Sequence, residues 1–174
     1  MKQSTQSSRG FTIVEILTVV LIIGILAIIG FVAYSGMQQS SREAKIAADL
    51  DKMTKAITVA RQQKKATLYS ITGNSGTASY CLQHNDGTDL AALSKLNNCW
   101  ARYNDALDKI SIAAGMNIRD TVDPWGRPYF IDENEDAGLG GSCDKDVIGV
   151  YRHPFVQNPT PNYARELNQY FSGC

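Results

Sequence analysis

The stretch "SRGFTIVEILTVVLIIGILAIIGFVAYSG", residues 8–36, is as apolar as a membrane span, yet it carries one carboxylate, Glu15, near its start. No charged residue occurs from Ile16 to Met37, and a helix needs about 20 apolar residues to cross the hydrocarbon core of a bilayer. The segment therefore predicts a single transmembrane helix. A secretory signal has a shorter apolar core, about 7 to 15 residues, followed by a small-residue cleavage site. Here the candidate processing site precedes the apolar run: the polar leader "MKQSTQSSRG" holds Lys2 and Arg9 and ends in Gly10. A cut at Gly10 keeps the helix in the mature protein. The basic leader predicts a cytoplasmic N-terminus, with everything after Tyr34 outside.

An acid inside a membrane span is costly, and its default reading is functional, with a partner to be named. The nearest candidate is the amine released by a cut between Gly10 and Phe11. Phe11 and Glu15 are four residues apart and share a helix face. The same acid complements the positive end of the helix dipole. The plainer alternative is a carboxylate solvated at the membrane interface.

The chain has 174 residues, which fits one domain plus an appendage. With the span set aside, roughly 130 residues remain for a modest core. Lys+Arg and Asp+Glu both number 17, so the charge balance suggests no polyanionic partner and no nucleic acid is expected. Beyond the span the helix continues. Ile46, Leu50, Met53, Ile57 and Ala60 recur at spacings of four and three, with Glu43, Lys45, Asp49, Lys52 and Lys55 on other faces. Arg61, Lys64 and Lys65 read as solvated charges that complement the end of the helix dipole. "ITGNSGTASY", 71–80, reads as a loop. Helices are predicted over Asp89–Leu96 and from Tyr103 to about Met116, the latter with Leu107, Ile110 and Ala114 on one side. Tyr129–Ile131 and residues 146–153 read as two strands of a hairpin. Residues 161–171 read as a terminal helix with Tyr163, Leu167 and Tyr170 inward.

Four cysteines, Cys81, Cys99, Cys143 and Cys174, allow three pairings. Disulfides are their natural use in an exported domain, and sequence neighbours favour Cys81 with Cys99 and Cys143 with Cys174. Cys81 and His84 also invite a zinc reading with Cys99, but no fourth ligand follows. Only two histidines exist, His84 and His153, and none of the common hydrolase, metalloprotease or phosphate-loop motifs occurs. A membrane-anchored exported enzyme is the rival class, and it lacks a catalytic constellation.

In "DENEDAGLGGSCDKD", 132–146, Asp132, Asn134 and Asp136 match the first three ligand positions of a calcium loop. The turn glycine, Gly138, comes one position late. Asp144 or Asp146 could close the shell in a longer loop. The alternative is a solvated acidic turn.

"RGFTIVE", with its basic leader, a glycine, a phenylalanine and a glutamate four residues on, followed by an unbroken apolar helix, resembles the class III signal of type IV pilins and type II secretion pseudopilins. The resemblance implies that a prepilin peptidase cuts after Gly10 and methylates the new N-terminus, Phe11. It also implies that Glu15 pairs with a neighbouring subunit's N-terminal amine as subunits enter a helical filament. Gly24 matches the family's helix-loosening glycine, whereas the proline common in many pilins falls on Val32. "DPWGRPY", 123–129, resembles the run that enters the small sheet of major pseudopilins. It reads here as a packing turn with Trp125 in the core. Those relatives hold calcium in a loop after that strand, so the resemblance adds weight to the calcium set. A pair between Cys143 and Cys174 resembles the C-terminal disulfide loop of type IV pilins.

The resulting expectation is an α+β, pilin-like fold: a long N-terminal helix, half transmembrane and half amphipathic, on a small head with short helices and an antiparallel sheet. The expected divisions are a leader over 1–10, a membrane and assembly helix over 11–37, its amphipathic continuation over 38–66 and the head over 67–174. The expected function is a structural, non-enzymatic pilus subunit. A major-type pseudopilin or a DNA-uptake pilin are the alternatives. The expected partners are copies of the chain, prepilin peptidase, pilus or secretion machinery and the membrane. The head is expected outside the cytoplasmic membrane, and later in a surface or envelope filament.

Overall fold

The computed structural model describes residues 11–73, 76–135 and 144–170. The chain divides into two compact units, Met1–Ser41 and Arg42–Cys174. Helix α1, Ile13–Lys64, contributes to both and runs unbroken through Gly24 and Val32. In the first unit its described large apolar side chains from Ile13 to Met37 are 48–81% exposed. A soluble helix does not leave an apolar surface bare on every side. Residues 13–37 would extend about 38 Å as a helix, more than the roughly 30 Å of a hydrocarbon core.

The second unit is α+β. Ile46, Leu50, Met53, Ile57 and Ala60 of α1 are all buried, as their periodicity predicts. They pack with Trp100, Tyr103, Leu107 and Ile110 of α4, Asn98–Ala114. The sheet is three-stranded and antiparallel in the order β1-β2-β3: β1 Tyr129–Asp132, β2 Val147–Val150 and β3 Asn162–Glu166. The predicted hairpin is present, with Tyr129 opposite Val150 and Asp132 opposite Val147. Tyr129 and Ile131 face the α1/α4 core, whereas Phe130 enters a second cluster with Ala78, Cys81, Leu90, Cys99, Tyr151 and Phe155. Successive strand residues point to opposite faces, so a strand covered on both sides reads as the continuous apolar run Tyr-Phe-Ile.

Three sequence expectations need correction. Asp89–Leu96 forms turns, not a helix. Asp89 Oδ1 accepts from Ala91 N–H at 3.0 Å, Ser94 Oγ accepts from Leu96 N–H at 3.2 Å, and the Leu90 carbonyl is taken by Trp100 Nε1–H at 2.8 Å. Such side-chain bonds offer the backbone an alternative to the helical ladder. Helix α4 instead starts five residues earlier than expected, capped by Asn97 accepting from Cys99 N–H and closed by Gly115 in the left-handed region.

Residues 162–166 form β3, not a helix. Pairing with β2 outweighs helical periodicity, and Gly149 makes the approach possible. A Cβ there would lie 2.8 Å from Pro161 Cβ and 3.0 Å from the Asn162 carbonyl. The register shifts between Ile148 and Val150 at this contact. Leu167 is buried as expected, but Tyr163 is exposed, with φ +51°.

The third correction concerns 71–80. Two short helices, α2 Leu68–Thr72 and α3 Thr77–Leu82, take up both ends of this stretch. Thr67 caps α2 by accepting from Ser70 N–H. Glu133 accepts from the N–H groups of Gly76 and Thr77 at 3.1 and 2.6 Å, which fixes the start of α3.

Candidate functional site

The candidate assembly site is the start of α1. Phe11 and Thr12 precede the helix, Phe11 is 78% exposed, and Glu15 lies in the first turn, also exposed. Gly10 and the rest of the leader lie outside the described residues. Sequence reasoning passed over Thr12. Its Oγ1 accepts from Glu15 N–H at 3.3 Å, and its carbonyl accepts from Glu15 and Ile16 N–H at 3.1 and 3.3 Å. Thr12 is therefore the N-cap, and "TIVE" is the T-x-x-E pattern of a capping box, a signal that could have identified it. In a complete box the glutamate side chain reaches back to the cap's own N–H. Among the described residues the Glu15 carboxylate has no hydrogen-bond or ion-pair partner. It is placed at a helix start, in an apolar surface.

In the second unit, Asp132 and Asn134 of the candidate calcium set lie in hydrogen-bond contact, and among the described residues no three acidic, histidine or cysteine side chains cluster as a metal site. The Asp132 carboxyl is pushed up by burial, with a hydrogen bond from Asn134 acting against it. Asn134 Nδ2 donates to the Lys145 carbonyl at 3.3 Å, Asp144 is exposed, and Asp136 lies outside the described residues. Asp146, the other residue considered for closing that shell, pairs with Arg61. Arg61 is itself a correction: it is 4% exposed, not a solvated capping charge. Glu133 is buried, at 0% exposed. Burial pushes its carboxyl up to about 7, against hydrogen bonds from the Thr77 hydroxyl and N–H.

Cys81 and Cys99 are joined in a disulfide and both are buried, so they are unavailable to zinc. His84 Nε2 instead lies 3.2 Å from Asn97 Oδ1. Cys143 and Cys174 lie outside the described residues. In "DPWGRPY", Asp123 Oδ1 accepts from the N–H groups of Trp125 and Arg127 at 2.9 and 2.8 Å, while Oδ2 pairs with the Arg127 guanidinium. Arg127 also donates to the Arg152 and Tyr151 carbonyls at 2.8 and 2.9 Å. Trp125 is half-buried against the core and stacked on His153 at 4.9 Å between centroids. This run is a turn locked by an internal ion pair, and every polar atom named here serves packing.

Among the described residues one helix, α1, is long and apolar enough to cross a membrane. No curated protein and no solved structure matches the chain. Residues 5–31 match the family model of the prokaryotic N-terminal methylation motif. That match covers residues 5–10, the residues around the start of α1 and most of the apolar segment. The N-terminal segment of this chain is thus the class III signal motif of type IV pilin and pseudopilin precursors.

Proposed function

We propose that this chain is a structural subunit of a type IV pilus-like filament, processed after Gly10 by prepilin peptidase, methylated at Phe11 and polymerised through its N-terminal helix. The observation that carries this reading is a carboxylate, Glu15, with no partner among the described residues, in an exposed apolar helix at the end bearing the methylation motif. An ionised acid costs about 2.5 to 3.5 kcal/mol at the centre of a membrane helix and less near its end. An ammonium delivered by a second subunit offsets that cost only in the assembled state. Before assembly, α1 holds the chain in the cytoplasmic membrane, with residues 42–174 outside. The buried Cys81–Cys99 bond suits an oxidising compartment.

A second reading, a major-type pseudopilin of a type II secretion system, is favoured by the locked Asp123–Arg127 turn that leads into β1. Both readings use the same helix and the same Glu15 contact.

The test is a Glu15→Ala strain. The variant is expected to be cut, inserted and folded as wild type, while the sheared filament fraction falls about tenfold or more, since the loss recurs at every subunit contact. An undiminished filament yield would overturn the role of Glu15.

A further inference from the structure

Arg61 lies on the inward face of α1, where oxygens from three other parts of the second unit converge. Its Nη2 pairs with Asp146 Oδ2 and lies 3.4 Å from Glu135 Oε2, and its Nη1 donates to the Asn168 carbonyl at 2.7 Å. The two carboxylates are also held by the backbone. Glu135 N–H donates to Asp146 Oδ1 at 2.8 Å, and Tyr170 N–H donates to Glu135 Oε1 at 2.7 Å. The Asp146 carbonyl accepts from Leu167 N–H at 2.8 Å. Glu135 and Asp146 lie near the two ends of the acidic β1–β2 connection, and residues 167–170 follow β3. One guanidinium thus joins the helix, both ends of the connection and the chain beyond the sheet.

Two carboxylates and a carbonyl are the oxygen donors that hold a hard divalent cation. Here a side chain of the same molecule fills the space between them. Glu135 and Asp146 are 3% and 1% exposed, and buried charges of one sign this close require a counter-ion. Arg suits the position because its planar fork stays charged and can address several oxygens at once.

We propose that Arg61 is a built-in counter-cation: it neutralises Glu135 and Asp146 and holds these two residues to α1 without an added metal ion. The inference is independent of filament assembly.

The test uses the full chain in detergent micelles. Both tryptophans, Trp100 and Trp125, lie in the second unit, so their fluorescence follows its melting. Wild-type protein is expected to melt at the same temperature in EGTA and in millimolar calcium. Arg61→Gly is expected to melt lower by roughly 10 °C or more. Millimolar guanidinium or calcium should return part of that loss, and sodium chloride at matched ionic strength should not. Adding Asp146→Asn to Arg61→Gly should abolish the rescue. Arg61→Lys, which keeps a cation, should lose less than Arg61→Met. A wild-type melting temperature that falls in EGTA would overturn the proposal. So would a folded Arg61→Gly variant that responds to neither cation. If Arg61→Gly does not fold, equal losses in Arg61→Lys and Arg61→Met would overturn it as well, since charge would then not be what the oxygens need.

Discussion

The Glu15 N–H donates to the Thr12 hydroxyl at 3.3 Å, so the first turn of α1 is capped by the residue that follows Phe11. The cap uses the backbone of Glu15 and leaves its carboxylate for another partner. Thr12→Ala should remove about 1 kcal/mol from the helix start. Amide exchange at Glu15 and Ile16, measured by NMR in micelles, should then quicken about fivefold, with Thr12→Ser close to wild type. Unchanged exchange in Thr12→Ala would show that the cap contributes nothing.

Arg127 and Asp123 are each 2% exposed and paired. Removing one partner leaves an uncompensated buried charge, a loss of about 3 to 5 kcal/mol. Arg127→Met alone should therefore lower the stability of the second unit more than the double variant Arg127→Met/Asp123→Asn. Denaturant titration followed by tryptophan fluorescence measures the difference. Strict additivity of the two substitutions would contradict the pairing.

Glu133 gives the second unit a pH dependence of known sign. Its folded-state value of about 7 lies above the ordinary glutamate value of 4.5. Its favourable contribution is therefore complete below pH 4.5 and is lost as pH rises through 7, by about 3 kcal/mol in total. Glu133→Gln cannot ionise, yet its carbonyl can accept from the Gly76 and Thr77 N–H groups. Wild type and Glu133→Gln should be similar in stability at pH 4.5, and the variant should gain relative to wild type up to pH 8. A constant difference across that range would refute the buried-acid account.

The Cys81–Cys99 bond spans 18 residues, a loop whose closure contributes about 3 kcal/mol by chain entropy. Cys81→Ser with Cys99→Ser should reduce unfolding free energy by about that amount. Both sulfurs are buried, so mild reductant should act slowly on the folded protein. Rapid alkylation of these two cysteines in native protein under mild reductant would contradict this.

The features legible in the sequence were those set by local period and by single residues with strong demands. The stripe Ile46, Leu50, Met53, Ile57 and Ala60 is buried as its 3.6-residue spacing requires. The β1–β2 hairpin follows from its apolar runs, and Glu15 stands out as the one charge in its setting. Long-range partners were not legible. Arg61 looked like a helix-end cation because its partners Glu135 and Asp146 lie 74 and 85 residues away. Residues 161–171 have helical spacing, but the side-chain-free surface of Gly149 and the open edge of β2 take residues 162–166 as a strand. Glu133 gave no sequence signal apart from its position at the end of an apolar strand, and its burial depends on α3 arriving from another part of the chain.

The central claim is that Glu15 is an assembly contact met by the Phe11 amine of a neighbouring subunit. A side-chain-resolution electron cryomicroscopy map of filaments sheared from cells tests it most directly. The account predicts a mature chain beginning at Phe11, with the Glu15 carboxylate within about 4 Å of the Phe11 nitrogen of an adjacent copy, the range of an ion pair. A mature N-terminus other than Phe11, or a Glu15 carboxylate facing away from every neighbouring amine, would contradict it.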